Sequence, residues 1–207
     1  MRKIDLIVLH HSGGTPTASK SDITGEQRFK VICDDHRANA LKQGWIMPNQ
    51  VYVCDYHFVV GQTGKIFTGQ PIENPSWHAT NYQVNLASIG ICLLGDFEKT
   101  IPPKAQVDAL IDLMIDLIKK YKIPIKNIKK HKDIVNTDCP GKYFPFGKII
   151  EEVKSEMSLE DDYQKEKEDA KITMQRLKII TDFNQKEVNI ERLAVILNRL
   201  LKSTGKF

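Results

Sequence analysis

The stretch Ile4-Asp-Leu-Ile-Val-Leu-His-His-Ser-Gly-Gly14 decides how this chain begins to fold. Its first half is a short apolar run with β-branched residues, a composition that is typical of a buried strand. The run ends at His10 and His11, and the glycines that follow indicate a polar loop. The sequence therefore predicts a core strand with two histidines at the point where the strand ends.

Further elements can be predicted outward from this strand. A capping-box spacing and a helical apolar period predict a helix over residues 25–42. β-forming residues over 51–60, a glycine-rich turn and a short run over 65–68 predict a hairpin. Residues 88–94 form a second apolar strand, and an apolar stripe between the prolines at 102 and 124 predicts a long helix.

Residues 69–87 contain several prolines and asparagines and show little periodicity. This pattern predicts a long surface loop. Long loops in compact domains are often functional, so we expect this one to contribute to a site.

The composition shifts near Ser158, where we place the boundary between a first domain, residues 1–157, and a helical C-terminal segment, residues 158–207. A short helix from about 146 to 154 is expected to close the first domain, and apolar stripes predict two more helices, over about 160–182 and 186–202. A helix pair of about 50 residues buries little apolar surface, so it should pack on the first domain, on a copy of itself or on a target.

The composition also excludes several classes of protein. The chain has 207 residues, 41% of them hydrophobic and 27% charged, which fits one globular domain with an appendage. A net charge of +4 is too small for a nucleic-acid-binding protein. No run approaches the roughly 18 apolar residues of a membrane span, so no membrane insertion is expected. The N-terminus shows no signal-peptide pattern, so we expect synthesis in the cytoplasm.

Three residues suggest a metal centre. His10 ends the first predicted strand, while His131 and Cys139 flank a polar loop near the end of the first domain. Zinc takes imidazole and thiolate ligands, and three protein ligands leave one position open, as in catalytic zinc sites. Judged by residue type alone, a lone histidine or cysteine is more often a packed or solvated side chain than a metal ligand. The widely spaced Cys33 and Cys54 form no CxxC pair, and we interpret them as small buried hydrophobes.

Five short motifs, taken in order, resemble the type 2 N-acetylmuramoyl-L-alanine amidases, a family that includes phage lysozyme-type amidases and peptidoglycan recognition proteins. The motifs are Val8-Leu-His-His-Ser12, Asp55-Tyr-His-Phe-Val-Val60, Trp77-His-Ala79, Ser88-Ile-Gly-Ile-Cys-Leu93 and His131 followed by Cys139-Pro-Gly141. The resemblance covers roughly residues 3–153. The resemblance implies an α/β fold with a mixed central β-sheet flanked by helices.

The resemblance also implies a zinc-dependent hydrolase that cleaves the amide between N-acetylmuramic acid and L-alanine in peptidoglycan. Carried over residue by residue, it makes His10, His131 and Cys139 the zinc ligands. Tyr56 would assist at the metal, and Thr137 would face the substrate.

The resemblance places the long loop at the peptidoglycan groove. Substrate contacts are therefore expected from Trp77, His78 and Asn81, although Trp77 could equally anchor the loop. His11 and His57 alternate with their neighbours along the predicted strands, and we interpret both as packing or supporting residues.

Some members of the family carry a glutamate in the second apolar strand, where this chain has Cys92, so no glutamate base is assigned. A phage or prophage endolysin that acts on the cell wall after release is the expected role. A bacterial autolysin and a non-catalytic recognition module are the alternatives. The C-terminal segment would then serve cell-wall targeting or homo-oligomerisation.

Overall fold

The computed structural model describes residues 2–13, 25–46 and 52–176 together with Val195. The contacts divide the chain into two compact units, residues 1–153 and 154–207. In the part of the chain that is described, no helix is long and apolar enough to cross a membrane.

A five-stranded mixed sheet forms the centre of the first unit. Its strands are β1 (Leu6–His11), β2 (Phe58–Val60), β3 (Ile66–Thr68), β4 (Ser88–Leu93) and β5 (Ile128–Lys130), in the spatial order β3-β2-β4-β1-β5. The strands β2, β4, β1 and β5 are parallel, and β3 runs antiparallel to β2. The predicted mixed α/β sheet is therefore confirmed.

The two central strands are apolar because a parallel sheet is covered on both faces. All six residues of β4 are buried, as are the middle four of β1. The helices of the structure are α1 (Gly25–Lys42), α2 (Tyr82–Ala87), α3 (Lys104–Tyr121) and α4 (Phe146–Arg176). One face of the sheet packs in a buried cluster that contains residues of α1, among them Ile32 and Cys33, and residues of β2 and β3.

The structure differs from the sequence prediction in three elements. The strand predicted over 51–60 is regular only over Phe58–Val60; before it, Tyr52, Cys54 and His57 are buried, and the N–H of His57 already donates to the carbonyl oxygen of Gly90 in β4. The loop 69–87 contains the helix α2, which is too short at six residues to show a helical period. The helices predicted at 146–154 and from 160 are one helix, α4, which has no proline and no glycine after Gly147 to interrupt it.

The predicted boundary at residues 157 and 158 falls inside α4. The helix predicted over 186–202 lies outside the described residues, apart from Val195. The use of residues 158–207 for targeting or oligomerisation stays a prediction.

Candidate metal centre

The three predicted ligands meet at one edge of the sheet. His10 lies near the end of β1, and His131 begins a 3-10 turn directly after β5. Because β1 and β5 are parallel neighbours, their carboxyl ends bring these two residues to the same edge. The loop after His131 returns Cys139 to this edge, so that the ligand atoms of all three side chains lie within 4.8 Å of one another.

The separations suit one tetrahedral ion. Nδ1 of His10 lies 3.8 Å from Sγ of Cys139, and the rings of His10 and His131 have centroids 4.4 Å apart. Tetrahedral zinc with its usual bond lengths holds a nitrogen and a sulfur ligand about 3.5 Å apart. Nε2 of His131 is buried and has no hydrogen-bond partner among the described residues, as expected for a donor set meant to hold an ion.

Backbone groups hold Cys139 at the site. The N–H of His11 donates to Sγ of Cys139 at 3.4 Å, and the carbonyl oxygen of Cys139 accepts from the N–H of Lys132 at 2.9 Å. Burial raises the pKa of the Cys139 thiol to about 11, while the His11 N–H opposes this increase. A bound cation would favour the thiolate further, because metal binding releases the thiol proton.

The His10 ring belongs to a buried chain of hydrogen bonds. Its Nε2 lies 2.9 Å from Nδ1 of His78, whose Nε2 lies 2.9 Å from Oγ of Ser88. Burial, and after it the neighbouring imidazoles, lower the pKa values of His10 and His78 well below the usual histidine range. Burial and the nearby His11 also lower the pKa of His131. All three imidazoles are therefore neutral near neutral pH, which is the state that binds metal.

Tyr56 packs against the candidate ligand His10. Their ring centroids are 5.2 Å apart, with the two rings tilted by 52°. Burial, followed by the surrounding thiols, raises the pKa of Tyr56 well above its usual value, so the hydroxyl keeps its proton. Cys92 is the direct partner of His10 between β4 and β1. The strand position at which the resemblance led us to look for a glutamate therefore holds a buried thiol beside the candidate ligand His10.

Thr137 lies on the loop that presents Cys139. Its Oγ1 accepts a hydrogen bond from the N–H of Cys139 at 3.3 Å. The hydroxyl proton of Thr137 is not used in this bond and is available to another acceptor. The structure therefore brings Thr137 to the ligand loop, where it also supports the cysteine.

The three predicted substrate contacts occupy different positions. His78 is only 5% exposed and its ring faces His10, so it does not line an open groove, contrary to our expectation. Asn81 caps α2 by accepting from the N–H of Val84. Trp77 stacks on Tyr82 and forms a cavity of about 340 Å³ with Tyr82 and the exposed Trp45.

His11 and His57 form hydrogen bonds with backbone groups and so support the fold. Nδ1 of His11 accepts from the N–H of Phe97 at 3.1 Å. Nδ1 of His57 accepts from the N–H of Gly90 at 3.0 Å, and its Nε2 lies 3.1 Å from the carbonyl oxygen of Asn74. Burial, and then the charge of Arg2, lower the pKa of His57 to about 4.

Sequence reasoning missed the part that Ser88 and Gly90 take in the site. A Cβ at position 90 would lie 2.5 Å from Cγ of His78, so the glycine makes room for that ring. An isolated glycine inside a strand is the available signal, because it often marks a close approach of another group. A serine at the start of an otherwise apolar strand is a weaker one.

Comparison with known proteins connects this site to a family. The family model described as N-acetylmuramoyl-L-alanine amidase matches residues 1–142. Peptidoglycan-recognition protein LB of Drosophila melanogaster is 30% identical over 150 residues, which are 72% of this chain and 57% of the relative. The matched region therefore spans less than two thirds of that relative.

Two solved structures share the fold. The endolysin N-acetylmuramoyl-L-alanine amidase LysCS from Clostridium intestinale is 29% identical, with a TM-score of 0.56 over 76% of this chain and 85% of that one. A mutant of Drosophila PGRP-LB in complex with tracheal cytotoxin is 26% identical, with a TM-score of 0.55 over 70% of this chain and 79% of the other.

Proposed function

Because the chain belongs to the N-acetylmuramoyl-L-alanine amidase family, we propose that it hydrolyses the amide between N-acetylmuramic acid and L-alanine in peptidoglycan. The reaction would use a zinc ion held by His10, His131 and Cys139. The observation that carries this proposal is the convergence of the three ligand atoms within 4.8 Å.

The donor set suits zinc in a catalytic setting. Two neutral imidazoles and one thiolate are ligands that zinc prefers, and three protein ligands leave a position open. When bound, zinc supplies Lewis-acid activation of water and of the scissile carbonyl near neutral pH. The N–H of His11, which donates to Sγ of Cys139, favours the ionised form of the thiol that such an ion requires.

Tyr56 and Thr137 are the proposed assisting residues. The Tyr56 hydroxyl keeps its proton and can donate a hydrogen bond to the carbonyl oxygen as negative charge develops there. Thr137 has a free hydroxyl proton and is tied to the ligand loop through the N–H of Cys139. Loss of one donor to a developing oxyanion typically lowers the rate about 10²–10³-fold.

Peptidoglycan is the proposed partner. The name of the related recognition protein and the complex of its mutant with tracheal cytotoxin support a cell-wall ligand. Trp77 is the proposed substrate contact, because aromatic rings at an open cavity can pack on the apolar face of a sugar or peptide. Asn81 is retained as a weaker candidate, since its side chain already caps α2.

The proposed biological role is that of an endolysin that degrades the cell wall after release from the cytoplasm. The similarity to the endolysin LysCS supports it. A bacterial autolysin would use the same chemistry. A recognition module that binds without cleaving is the rival from another class, and the grouping of all three ligands with Tyr56 favours the enzyme.

The test is to incubate the purified full chain with purified cell walls, with and without a zinc chelator. We expect new N-terminal L-alanine amines, loss of this activity with chelator and recovery on adding zinc. A Cys139→Ser chain should still pellet with walls but release no amines. Chelator-insensitive cleavage, new reducing sugar ends, or binding without any cleavage by the zinc-loaded chain would contradict the proposal.

A further inference from the structure

The hydrogen bonds from His10 through His78 to Ser88 have a fixed direction, which is set by Ser88 at the end farthest from the ligand cluster. Oγ of Ser88 lies 2.6 Å from the carbonyl oxygen of Val84, which can only accept. The single hydroxyl proton of Ser88 is therefore used in that bond. At its other contact Ser88 must accept, and the group that donates to it is Nε2–H of His78 at 2.9 Å.

The two imidazoles continue this order of donors and acceptors. A neutral imidazole with its proton on Nε2 has its lone pair on Nδ1, so Nδ1 of His78 is an acceptor. The atom 2.9 Å from it is Nε2 of His10, which must carry a proton and donate. The lone pair of His10 is then on Nδ1, the atom that lies 3.8 Å from Sγ of Cys139.

The packing leaves the His78 ring little freedom to leave this chain. The side chain is 5% exposed, and Ser88 is fully buried. The ring lies over Gly90 of β4, where an added Cβ would be 2.5 Å from its Cγ. His78 is thus seated on a glycine in the middle of the sheet, between the two groups that it connects.

We propose that His78 and Ser88 are positioning residues that hold His10 in the tautomer with its lone pair on Nδ1, and thereby set the affinity of the centre for zinc. This inference rests on the proposed function, in which zinc is the bound ion. It assigns His78 a part other than contact with the substrate.

His78 can influence zinc affinity because a metal-binding histidine must keep its proton on the ring nitrogen that does not bind the metal. The ring nitrogen that binds a metal must be unprotonated, and the hydrogen bond of the other nitrogen selects that state and fixes the ring orientation. In metal sites, loss of such a supporting partner typically lowers metal affinity about 10–100-fold. Here the supporting partner is an imidazole, and its own tautomer is selected one step further away by Ser88.

The first experiment measures the zinc dissociation constant of the full chain by competition with a chromophoric chelator. His78→Leu keeps the volume but removes the acceptor, and affinity should fall about 10–100-fold. His78→Asn retains an acceptor near the Nδ1 position and should recover most of that affinity. A folded His78→Leu chain that binds zinc as tightly as the wild type would overturn the inference.

A pair of serines provides a matched control. Ser88 and Ser76 are both fully buried, and each hydroxyl contacts a buried histidine, His78 at 2.9 Å and His57 at 3.0 Å. Ser88→Ala should weaken zinc binding because it frees His78 to take the other tautomer. Ser76→Ala removes a similar hydrogen bond, to His57, which is not part of the series from His10 to Ser88. This change should leave zinc binding unchanged. Equal effects of the two changes would indicate a merely structural role and would contradict the proposal.

The second experiment reads the tautomer directly in the zinc-free chain. Long-range ¹H–¹⁵N correlation spectra of the imidazoles should show His10 and His78 with protonated Nε2 and unprotonated Nδ1. In Ser88→Ala, the Nδ1-protonated form of both rings should gain population. A wild-type His10 with its proton on Nδ1 would overturn the inference even if the variants fail to fold.

The two proposals fail in different ways. A wild-type chain that binds no zinc would contradict the proposed function, and with it the claim about affinity. Normal zinc binding and cleavage by the wild type, together with unchanged zinc binding by His78→Leu, would overturn this inference alone.

Discussion

Two buried histidines of the same sheet, His10 and His57, use their ring nitrogens differently. His10 is 1% exposed and His57 is 0% exposed, and each lies on a strand or strand end next to β4. Both ring nitrogens of His57 contact backbone groups, the N–H of Gly90 and the carbonyl oxygen of Asn74. His10 uses one nitrogen for His78 and directs the other toward Cys139.

Burial therefore does not separate a structural histidine from a candidate ligand. What separates them is the kind of partner: one nitrogen of His10 faces the thiol of Cys139 at 3.8 Å, whereas both nitrogens of His57 contact backbone groups. In the same cluster, Nε2 of His131 has no hydrogen-bond partner among the described residues. The two regions, the ligand cluster at the sheet edge and the closed network around His57, should respond differently to substitution.

The largest effect is expected from Cys139→Ser. Removal of the thiolate should lower amidase activity by more than about 10³-fold, because loss of a single oxyanion donor already costs about 10²–10³ and the ion is lost as well. Zinc content and release of N-terminal L-alanine would be measured on the same sample. His57→Gln is the control, and it should retain zinc. Loss of zinc from His57→Gln would contradict the claim that only the ligand cluster, and not the network around His57, holds zinc.

A smaller loss is expected from Tyr56→Phe. The change removes only the hydroxyl, so kcat should fall about 10²–10³-fold while zinc content stays that of the wild type. Steady-state rates on soluble muropeptides would separate kcat from KM. Full activity in this variant would show that Tyr56 only packs against His10, as His57 packs against its own neighbours.

The His57 network should appear in the acid dependence of stability. The pKa of His57 is about 4 in the folded chain, lowered first by burial and then by Arg2, and it is about 6.5 in an unfolded chain. Between these values the unfolded state binds more protons, so this contribution is present above pH 6.5 and is lost as pH falls through 4. The integrated loss is roughly 3 kcal/mol.

Urea unfolding at several pH values would test this contribution. The difference in unfolding free energy between wild type and His57→Gln should shrink as pH falls from 6.5 to 4. His36 should show the opposite pH dependence of stability. Burial alone would lower the pKa of His36, but its hydrogen bond with Cys54 and the charge of Asp55 raise that pKa overall. Its stabilising contribution is present below pH 6.5 and is lost as pH rises through its folded value. A difference for His57→Gln that does not vary with pH would contradict the assignment.

The smallest effect is expected from Gly90→Ala, which touches both regions. The new methyl group would meet the His78 ring, and overpacking of this kind costs about 1–3 kcal/mol of unfolding free energy. Zinc affinity should fall with it, because the ring would be displaced from His10. Gly147→Ala in α4 is the matched control, since no atom lies within 4 Å of its added Cβ, and it should not destabilise the chain. Unchanged stability of Gly90→Ala would show that the ring can move at little cost.

Much of the fold could be predicted from local patterns. The apolar runs of β1 and β4 and the prolines around α3 predicted those elements closely, because burial on both faces and missing N–H groups leave direct traces in sequence. The six residues of α2 and the continuity of α4 were not predicted. A single turn and a half shows no period, and a change of composition does not by itself break a helix.

By itself, the sequence determined the residue types of the candidate centre and their place at the ends of strands. Only the tertiary structure decided that the buried ring of His78 faces His10, and that the ring nitrogens of His57 contact Gly90 and Asn74. The physical reason is that the role of a histidine depends on which groups contact its two ring nitrogens. Those partners come from distant parts of the chain, and folding alone brings them within hydrogen-bond distance.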